Sequence, residues 1–167
     1  MSNESIDKDY FLIVNHILNN EEFKKIDGIE HHGISRFDHS FKISYFSYKI
    51  CKLLHLDYEC AARAGLLHDF FLSDENRTFK DKFLSTFTHP KKAVENSIKN
   101  FNISEKEENI IRAHMFPFYT ALPKYAESWI IILVDKIIGT YEFTLQFKNK
   151  MSYSTNLLIL LILNNIK

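Results

Sequence analysis

The composition of the 167-residue chain is that of one globular domain, with 46% hydrophobic and 25% charged residues. Lys and Arg together number 21, as do Asp and Glu, so the formal net charge is zero. A nucleic-acid-binding protein that works through a basic surface is therefore not expected. The chain contains only four Gly and three Pro, which favours helices joined by short loops.

Apolar residues recur at helical spacing through the first half of the chain. The pattern predicts helices over residues 5–18, 39–54 and 57–71, the last with Asp57 as its N-cap. The second of these segments is apolar on two sides, so we expect it to be buried on much of its circumference. One of its two apolar stripes consists of Ile43, Phe46, Ile50 and Leu53.

A polar segment and a proline interrupt this pattern in the middle of the chain. Residues 73–87, SDENRTFKDKFLSTF, are irregular and are predicted to form a loop with one short helical turn at most. The dipeptide His89-Pro90 follows. Because Pro is favoured at the first helical position, we expect a new helix to begin there.

The last third of the chain is also predicted to be helical. Ser104, with Glu107 three residues later, forms a capping box that starts a helix ending near residue 115. Two further helices are predicted over residues 124–147 and 152–166. Strand-like alternation is not found, so the predicted fold is an all-α helical bundle.

The two ends of the chain are those expected of a cytoplasmic protein. The N-terminal sequence MSNESIDKDYF has no basic segment followed by an apolar one, so no signal peptide is predicted. The apolar run in LLILLILNNIK is shorter than the roughly 20 residues that cross a bilayer. We therefore expect no membrane partner, and we assign the run to a packed terminal helix or to the subunit contact of a homodimer.

The segment AGLLHDFF, residues 64–71, places an imidazole and a carboxylate side by side in apolar sequence. Burying an unpaired charge costs several kcal/mol, roughly, so Asp69 requires a salt bridge, a hydrogen-bonded network or a metal ion. Other His and Asp residues share this apolar, helical setting. The full set is His39, His68, Asp69, His89, His114 and Asp135.

Taken together, these side chains favour the metal ion. Helix bundles build metal sites from side chains that project inward from facing helices. Mixtures of His and Asp suit Fe, Mn, Co, Ni or Zn. Adjacent residues of a helix point about 100° apart. His68 and Asp69 therefore share an ion only if it lies between their directions, or if Asp69 bridges two ions.

Four of the residues resemble, in their order, the motif of the HD-domain superfamily of metal-dependent phosphohydrolases: His39, His68, Asp69 and Asp135. His89 and His114, between the His-Asp pair and the last Asp, are similar to the variant that holds two metals. GLLHDFFL, FTHPKKAVENS, AHMFP and LVDK are similar to a small bacterial HD-domain hydrolase subfamily. The resemblance covers about residues 30–145 and implies a single HD domain over residues 1–167, with the terminal helices packed on that core.

The resemblance also implies two divalent transition-metal ions, with Fe or Mn expected ahead of Zn, Ni, Co or Mg. The implied ligands of the first ion are His39, His68, Asp69 and Asp135. The second ion would be held by His89 and His114, with Asp69 bridging the two.

Such a site predicts the hydrolysis of a nucleotide or another small phosphoester. Two ions with open positions would bind the phosphate and generate a hydroxide that attacks phosphorus in line. His68 and Asp69 would lie at the catalytic centre. Arg36 and Lys136, which neighbour motif residues in the sequence, are the expected cationic partners of the phosphate. Two further arginines are weaker candidates: Arg63 and Arg112.

Two other functions are left open by the same residues. Some members of the superfamily whose ligands resemble this set use two irons and oxygen, so a di-iron oxygenase is one alternative. A nucleotide-binding sensor that keeps the pocket without catalysis is the other. The presence of all six metal-capable side chains favours an enzyme over the sensor.

Overall fold

The structure is a computed structural model that describes residues 7–31, 34–72 and 79–164. Those residues form mainly α-helices, which confirms the predicted all-α fold. The helices are α1 (Lys8–Leu18), α2 (Glu21–Lys24), α3 (Arg36–Leu53), α4 (Tyr58–Leu67), α5 (Phe79–Asn100), α6 (Glu105–Ala113) and α7 (Ala126–Asn164). A 3-10 helix spans Lys25–Gly28, and the short strands β1 (Glu30–His31) and β2 (Ile34–Ser35) pair antiparallel just before α3.

Side-chain caps set the first residues of three helices. Asp57 accepts a hydrogen bond from the Cys60 N–H at 3.1 Å and caps α4, as predicted. The capping box predicted at Ser104 is confirmed at the start of α6. Helix α3 begins earlier than the predicted residue 39, because the Ser35 hydroxyl accepts from a backbone N–H of its first turn.

The predicted loop over residues 73–87 is wrong in its second part. Helix α5 already begins at Phe79, and Pro90 lies inside it instead of opening it, although Pro lacks the N–H for the helical ladder. Phe79, Phe83 and Phe87 recur every fourth residue, and this helical spacing outweighs the polar composition. Residues 73–78 lie outside the described residues.

Helix α7 is one continuous helix of 39 residues, not the two helices predicted. The residues between the two predicted segments, 148–151, include neither Gly nor Pro to end a helix. Within the ranges given above, the helices are too short or too polar to cross a membrane. The expected role of the apolar C-terminal run as a packed helix or subunit contact stays a prediction.

Helices α3 and α4 approach each other closely through small residues. A Cβ atom added to Gly65 would lie 2.8 Å from the Cα atom of Ser44. Ser44 is fully buried; its hydroxyl donates to the Ala62 carbonyl at 2.6 Å and accepts from the Tyr10 hydroxyl at 2.8 Å. The stripe predicted for α3 is therefore partly wrong. Its buried face carries serines, whereas two members of the stripe are exposed: Phe46 and Leu53.

Gly65→Ala is expected to lower the free energy of unfolding by roughly 1–3 kcal/mol, because the new methyl group overpacks against the α3 backbone. Gly139→Ala in α7 is the matched control, since nothing lies within 4 Å of its added Cβ. That substitution is expected to raise the free energy of unfolding by up to about 1 kcal/mol through helix propensity. Urea denaturation measures the free energy of unfolding of both variants. Equal changes in Gly65→Ala and Gly139→Ala would contradict the close contact between α3 and α4.

Candidate metal centre

The His-Asp pair lies immediately after α4, not within a helix that continues to residue 71 as predicted. His68 is the C-cap of α4, and its Nδ1 lies 2.8 Å from the Gly65 carbonyl oxygen. A carbonyl only accepts, so Nδ1 carries the proton and the lone pair of Nε2 points elsewhere. That buried Nε2 atom has no hydrogen-bond partner among the residues that the structure describes. Leaving such an atom unpaired costs free energy, so it is suited to bind an electron-pair acceptor.

All six predicted side chains converge on one region. His39 comes from α3, His89 from α5 and Asp135 from α7, whereas His114 is the C-cap of α6. The imidazoles follow one another in the order His39, His68, His114 and His89, with ring centroids 5.5, 5.0 and 4.9 Å apart. The Asp135 side chain is 12% exposed, and the other five residues are buried.

The first group of donor atoms comes from His39, His68 and Asp135, whose ligand atoms lie within 4.8 Å of one another. The Nε2 atom of His39 is 3.3 Å from Oδ1 of Asp135. Two donors bound to one ion at about 2.1 Å lie about 3.0–3.4 Å apart at right or tetrahedral angles. The spacing therefore fits a shared ion.

The second group surrounds Oδ1 of Asp69. This oxygen lies 3.4 Å from Nε2 of His89 and 3.6 Å from Nε2 of His114, and those two nitrogens are 2.9 Å apart. The other oxygen, Oδ2, lies 3.9 Å from Nε2 of His68. Asp69 thus presents one oxygen to each side of the cluster.

The pKa values in the cluster reflect its burial and its carboxylates. Burial and the neighbouring imidazoles lower the pKa of His114 to about 3, and burial also lowers the pKa of His68. Both rings are therefore neutral at pH 7, as metal ligation requires. For His39, burial is outweighed by the carboxylates of Asp135 and Glu142, which raise its pKa to about 9, so a metal ion would have to displace a proton from its Nε2 atom. Burial would raise the pKa of Asp135, but its hydrogen bond with His39 holds it far below the usual range.

Glu142 belongs to the site but was missed in the sequence. It lies on α7, two helical turns beyond Asp135, and is 3% exposed. Its Oε2 atom is 2.7 Å from Nδ1 of His39, and its Oε1 atom accepts from Lys42 Nζ at 2.9 Å. Its spacing from Asp135 along one helical face was the available signal.

Lys136, a predicted phosphate partner, lies beside the cluster. Its Nζ atom donates to Oδ2 of Asp135 at 2.8 Å and lies 3.7 Å from the Met115 sulfur. The side chain is 40% exposed. An ammonium group at this position is both next to a candidate ligand carboxylate and accessible to a solute.

Arg36, the other predicted phosphate partner, is buried at the edge of the cluster. Its guanidinium lies 3.8 Å from the centroid of the Phe71 ring and donates to the Phe71 carbonyl. The Phe71 ring in turn stacks on His89 at 5.1 Å. The two weaker candidates, Arg63 and Arg112, form ion pairs with Glu107 and Glu108.

The fold and the site together define a class of protein: a helical domain with a buried His and Asp cluster that could hold divalent metal. A family model described as HD domain matches residues 36–140, more than half of the 167-residue chain. The chain therefore belongs to the HD domain family, whose members are generally metal-dependent hydrolases. Neither a curated protein nor a solved structure matches it. The superfamily prediction is confirmed, whereas the bacterial subfamily stays a prediction.

Asp69→Ala is expected to abolish the binding of divalent metal, because the Asp69 carboxylate faces both groups of donors. Elemental analysis of protein dialysed against Mn measures the bound metal. Asp57→Ala is a control from the other end of α4, where it removes an exposed helix cap. It is expected to cost about 1 kcal/mol of stability and to leave metal content unchanged. Wild-type metal content in Asp69→Ala would contradict a ligand role for Asp69.

His114→Ala is expected to reduce the bound metal from two ions per chain to one. The substitution removes a donor from the group around Oδ1 of Asp69 and leaves His39, His68 and Asp135 in place. Titration with Mn, followed by elemental analysis, gives the stoichiometry. If the wild-type protein binds at most one ion after reconstitution, the two-ion site is wrong.

Proposed function

We propose that this protein is a metal-dependent phosphohydrolase that acts on a nucleotide or another small phosphoester. The observation that carries the proposal is the placement of Asp69, whose two oxygens face two groups of imidazoles in an HD domain. Carboxylate-bridged pairs of ions are suited to phosphoester hydrolysis. The ions we propose are two divalent transition metals, with Fe or Mn ahead of Zn, Ni, Co and Mg.

The proposed assignment of side chains to the two ions follows from the positions of the donor atoms. His39, His68 and Asp135 would hold one ion, and the side chains facing Oδ1 of Asp69 would hold the other. Divalent ions bound there supply Lewis acidity toward a phosphoryl oxygen and lower the pKa of a bound water. The chain itself has to fix its donors, and burial achieves this by limiting their rotation and excluding competing water.

Cationic side chains supply the charge that a phosphate requires. Lys136 is proposed to donate to a phosphate oxygen, because its ammonium is 40% exposed and already lies at the ligand Asp135. Arg36 is the second proposed partner, although its contact with Phe71 gives it a structural role as well. Hydrogen bonds between charged groups are worth about 1.5–3 kcal/mol, enough to affect substrate affinity measurably.

The activity is tested on a panel of nucleotides, dinucleoside polyphosphates and simple phosphomonoesters, each with Mn, Fe, Co, Ni, Zn and Mg. We expect phosphate release that depends on added metal and is absent in Asp69→Ala. No turnover on the panel, together with oxygen consumption on an organic substrate, would indicate the di-iron oxygenase instead. No activity in either assay, together with tight nucleotide binding, would indicate the nucleotide-binding sensor.

Lys136→Met is expected to raise KM by roughly 10-fold or more, the equivalent of one lost charged hydrogen bond, without loss of metal. Arg36→Ala is likewise expected to weaken substrate binding while metal content stays intact. Lys91→Met is the control, since Lys91 is an exposed lysine of α5 that forms a long ion pair of 3.8 Å with the exposed Glu95. Steady-state kinetics measure substrate binding, and elemental analysis of the same samples measures bound metal, so the two together separate a phosphate-binding role from a metal-binding role. Metal loss in Lys136→Met would contradict its assignment to the phosphate.

A further inference from the structure

The surroundings of His39 differ from those of His68 and His114. The Nδ1 atoms of His68 and His114 lie 2.8 and 2.7 Å from the backbone carbonyls of Gly65 and Ile111, each three residues earlier in the chain. The Nδ1 atom of His39 instead faces the charged side chain of Glu142, which comes from another helix. A side-chain partner, unlike a carbonyl, can be removed by substitution.

We propose that Glu142 is a positioning residue for metal binding: its carboxylate accepts the Nδ1–H of His39 and holds the ring with Nε2 turned toward Asp135. This inference rests on the metal site of the proposed function. It goes beyond that function because it assigns a role to a side chain that is outside the donor set.

Both oxygens of Glu142 are already engaged, which distinguishes it from a ligand. Oε2 contacts His39 at 2.7 Å, and Oε1 accepts from Lys42 Nζ at 2.9 Å. The carboxylate is 3% exposed and the Lys42 side chain 42% exposed, so the pair extends from the interior to the surface. Rotation of Glu142 toward an ion would break both contacts. The geometry therefore keeps it behind His39.

The contact has two consequences for the ring of His39. An imidazole can rotate and can carry its proton on either nitrogen, and a fixed acceptor at Nδ1 selects one arrangement. A carboxylate acceptor also makes the opposite nitrogen a stronger electron-pair donor, and removal of such partners typically weakens metal binding by roughly 10- to 100-fold. Burial would raise the pKa of Glu142, but the hydrogen bonds from His39 and Lys42 keep it below the usual range.

Glu127 provides a matched control on the same helix. It is 4% exposed and accepts from Lys106 Nζ at 2.8 Å and from the Asp57 N–H at 2.9 Å. It is thus a second buried carboxylate of α7 with a lysine partner, but it contacts α6 and the residue before α4, and neither contact is with a candidate ligand. General loss of a buried charge should affect both glutamates alike.

The experiment measures the dissociation constant of Zn²⁺, with the full chain stripped of metal and a chromophoric chelator as competitor. Glu142→Ala is expected to bind Zn²⁺ roughly 10- to 100-fold more weakly than wild type. The Zn²⁺ affinity of Glu142→Gln should lie between those of wild type and Glu142→Ala, because the amide oxygen still accepts from Nδ1 of His39 but carries no charge. Glu127→Ala and Glu127→Gln should bind as wild type does. Circular dichroism and thermal unfolding confirm that each variant is folded, and Glu142→Gln keeps the test usable if Glu142→Ala does not fold.

A spectroscopic measurement separates positioning from general stability. In Zn²⁺-loaded wild type, long-range ¹H–¹⁵N spectra should show His39 protonated at Nδ1 and metal-bound through Nε2. Glu142→Ala should lose that single pattern, whereas the Glu127 variants should keep it. Wild-type affinity and an unchanged His39 signal in Glu142→Ala would overturn the inference, as would an equal loss of affinity in Glu127→Ala.

The outcomes also separate this inference from the proposed function. Wild-type protein that binds no Zn²⁺ would overturn both the role of Glu142 and the metal site on which it rests. Tight Zn²⁺ binding that weakens in Glu142→Ala, with no turnover of any phosphoester, would support the positioning role and reject the hydrolase.

Discussion

Two carboxylates, Asp69 and Asp135, lie among buried imidazoles where five helices meet, and the cost of desolvating their charge constrains the rest of the structure. Asp135 is compensated by His39, 3.3 Å away, and by Lys136 at 2.8 Å. Asp69 has imidazole nitrogens within 3.4–3.9 Å on both sides. The distances of 3.3 Å from Asp135 to His39 and 3.4 Å from Asp69 to His89 match those of donors around a shared ion, whereas the 2.8 Å contact with Lys136 is an ordinary hydrogen bond. The cluster could therefore hold divalent cations.

The helices that carry the cluster are held at the required distances by contacts outside it. Gly65 allows α4 to approach the α3 backbone at Ser44, and this approach brings His39 and His68 to a ring separation of 5.5 Å. Helix α7 supplies Asp135 to the cluster and, further along, Glu142 behind His39. On the α5 side, the ring of Phe71 lies between the guanidinium of Arg36 and His89. Packing and site geometry thus depend on the same interfaces.

Helix α7 carries two buried glutamates, each paired with a lysine, and the two pairs have different neighbours. Glu127 and Glu142 are both buried carboxylates with a lysine partner, at 2.8 and 2.9 Å. The first also accepts the Asp57 N–H and so ties α7 to the start of α4. The second contacts His39, an imidazole of the candidate metal centre. Glu127 and Glu142 therefore have similar burial and similar lysine partners but different roles, and the third group that each carboxylate contacts determines its role.

The sequence by itself determined the helical class, the helix starts capped by Asp57 and Ser104, and the six His and Asp side chains of the cluster, because caps and apolar spacing act over a few residues. Only the tertiary structure decided the rest. The prediction for residues 79–87 followed their polar composition and missed the helical spacing of their phenylalanines, and the predicted break in α7 had no Gly or Pro to support it. The burial of Ser44 and the contact between His39 and Glu142 join residues far apart in the chain. Such contacts depend on how helices pack, and no local pattern encodes that packing.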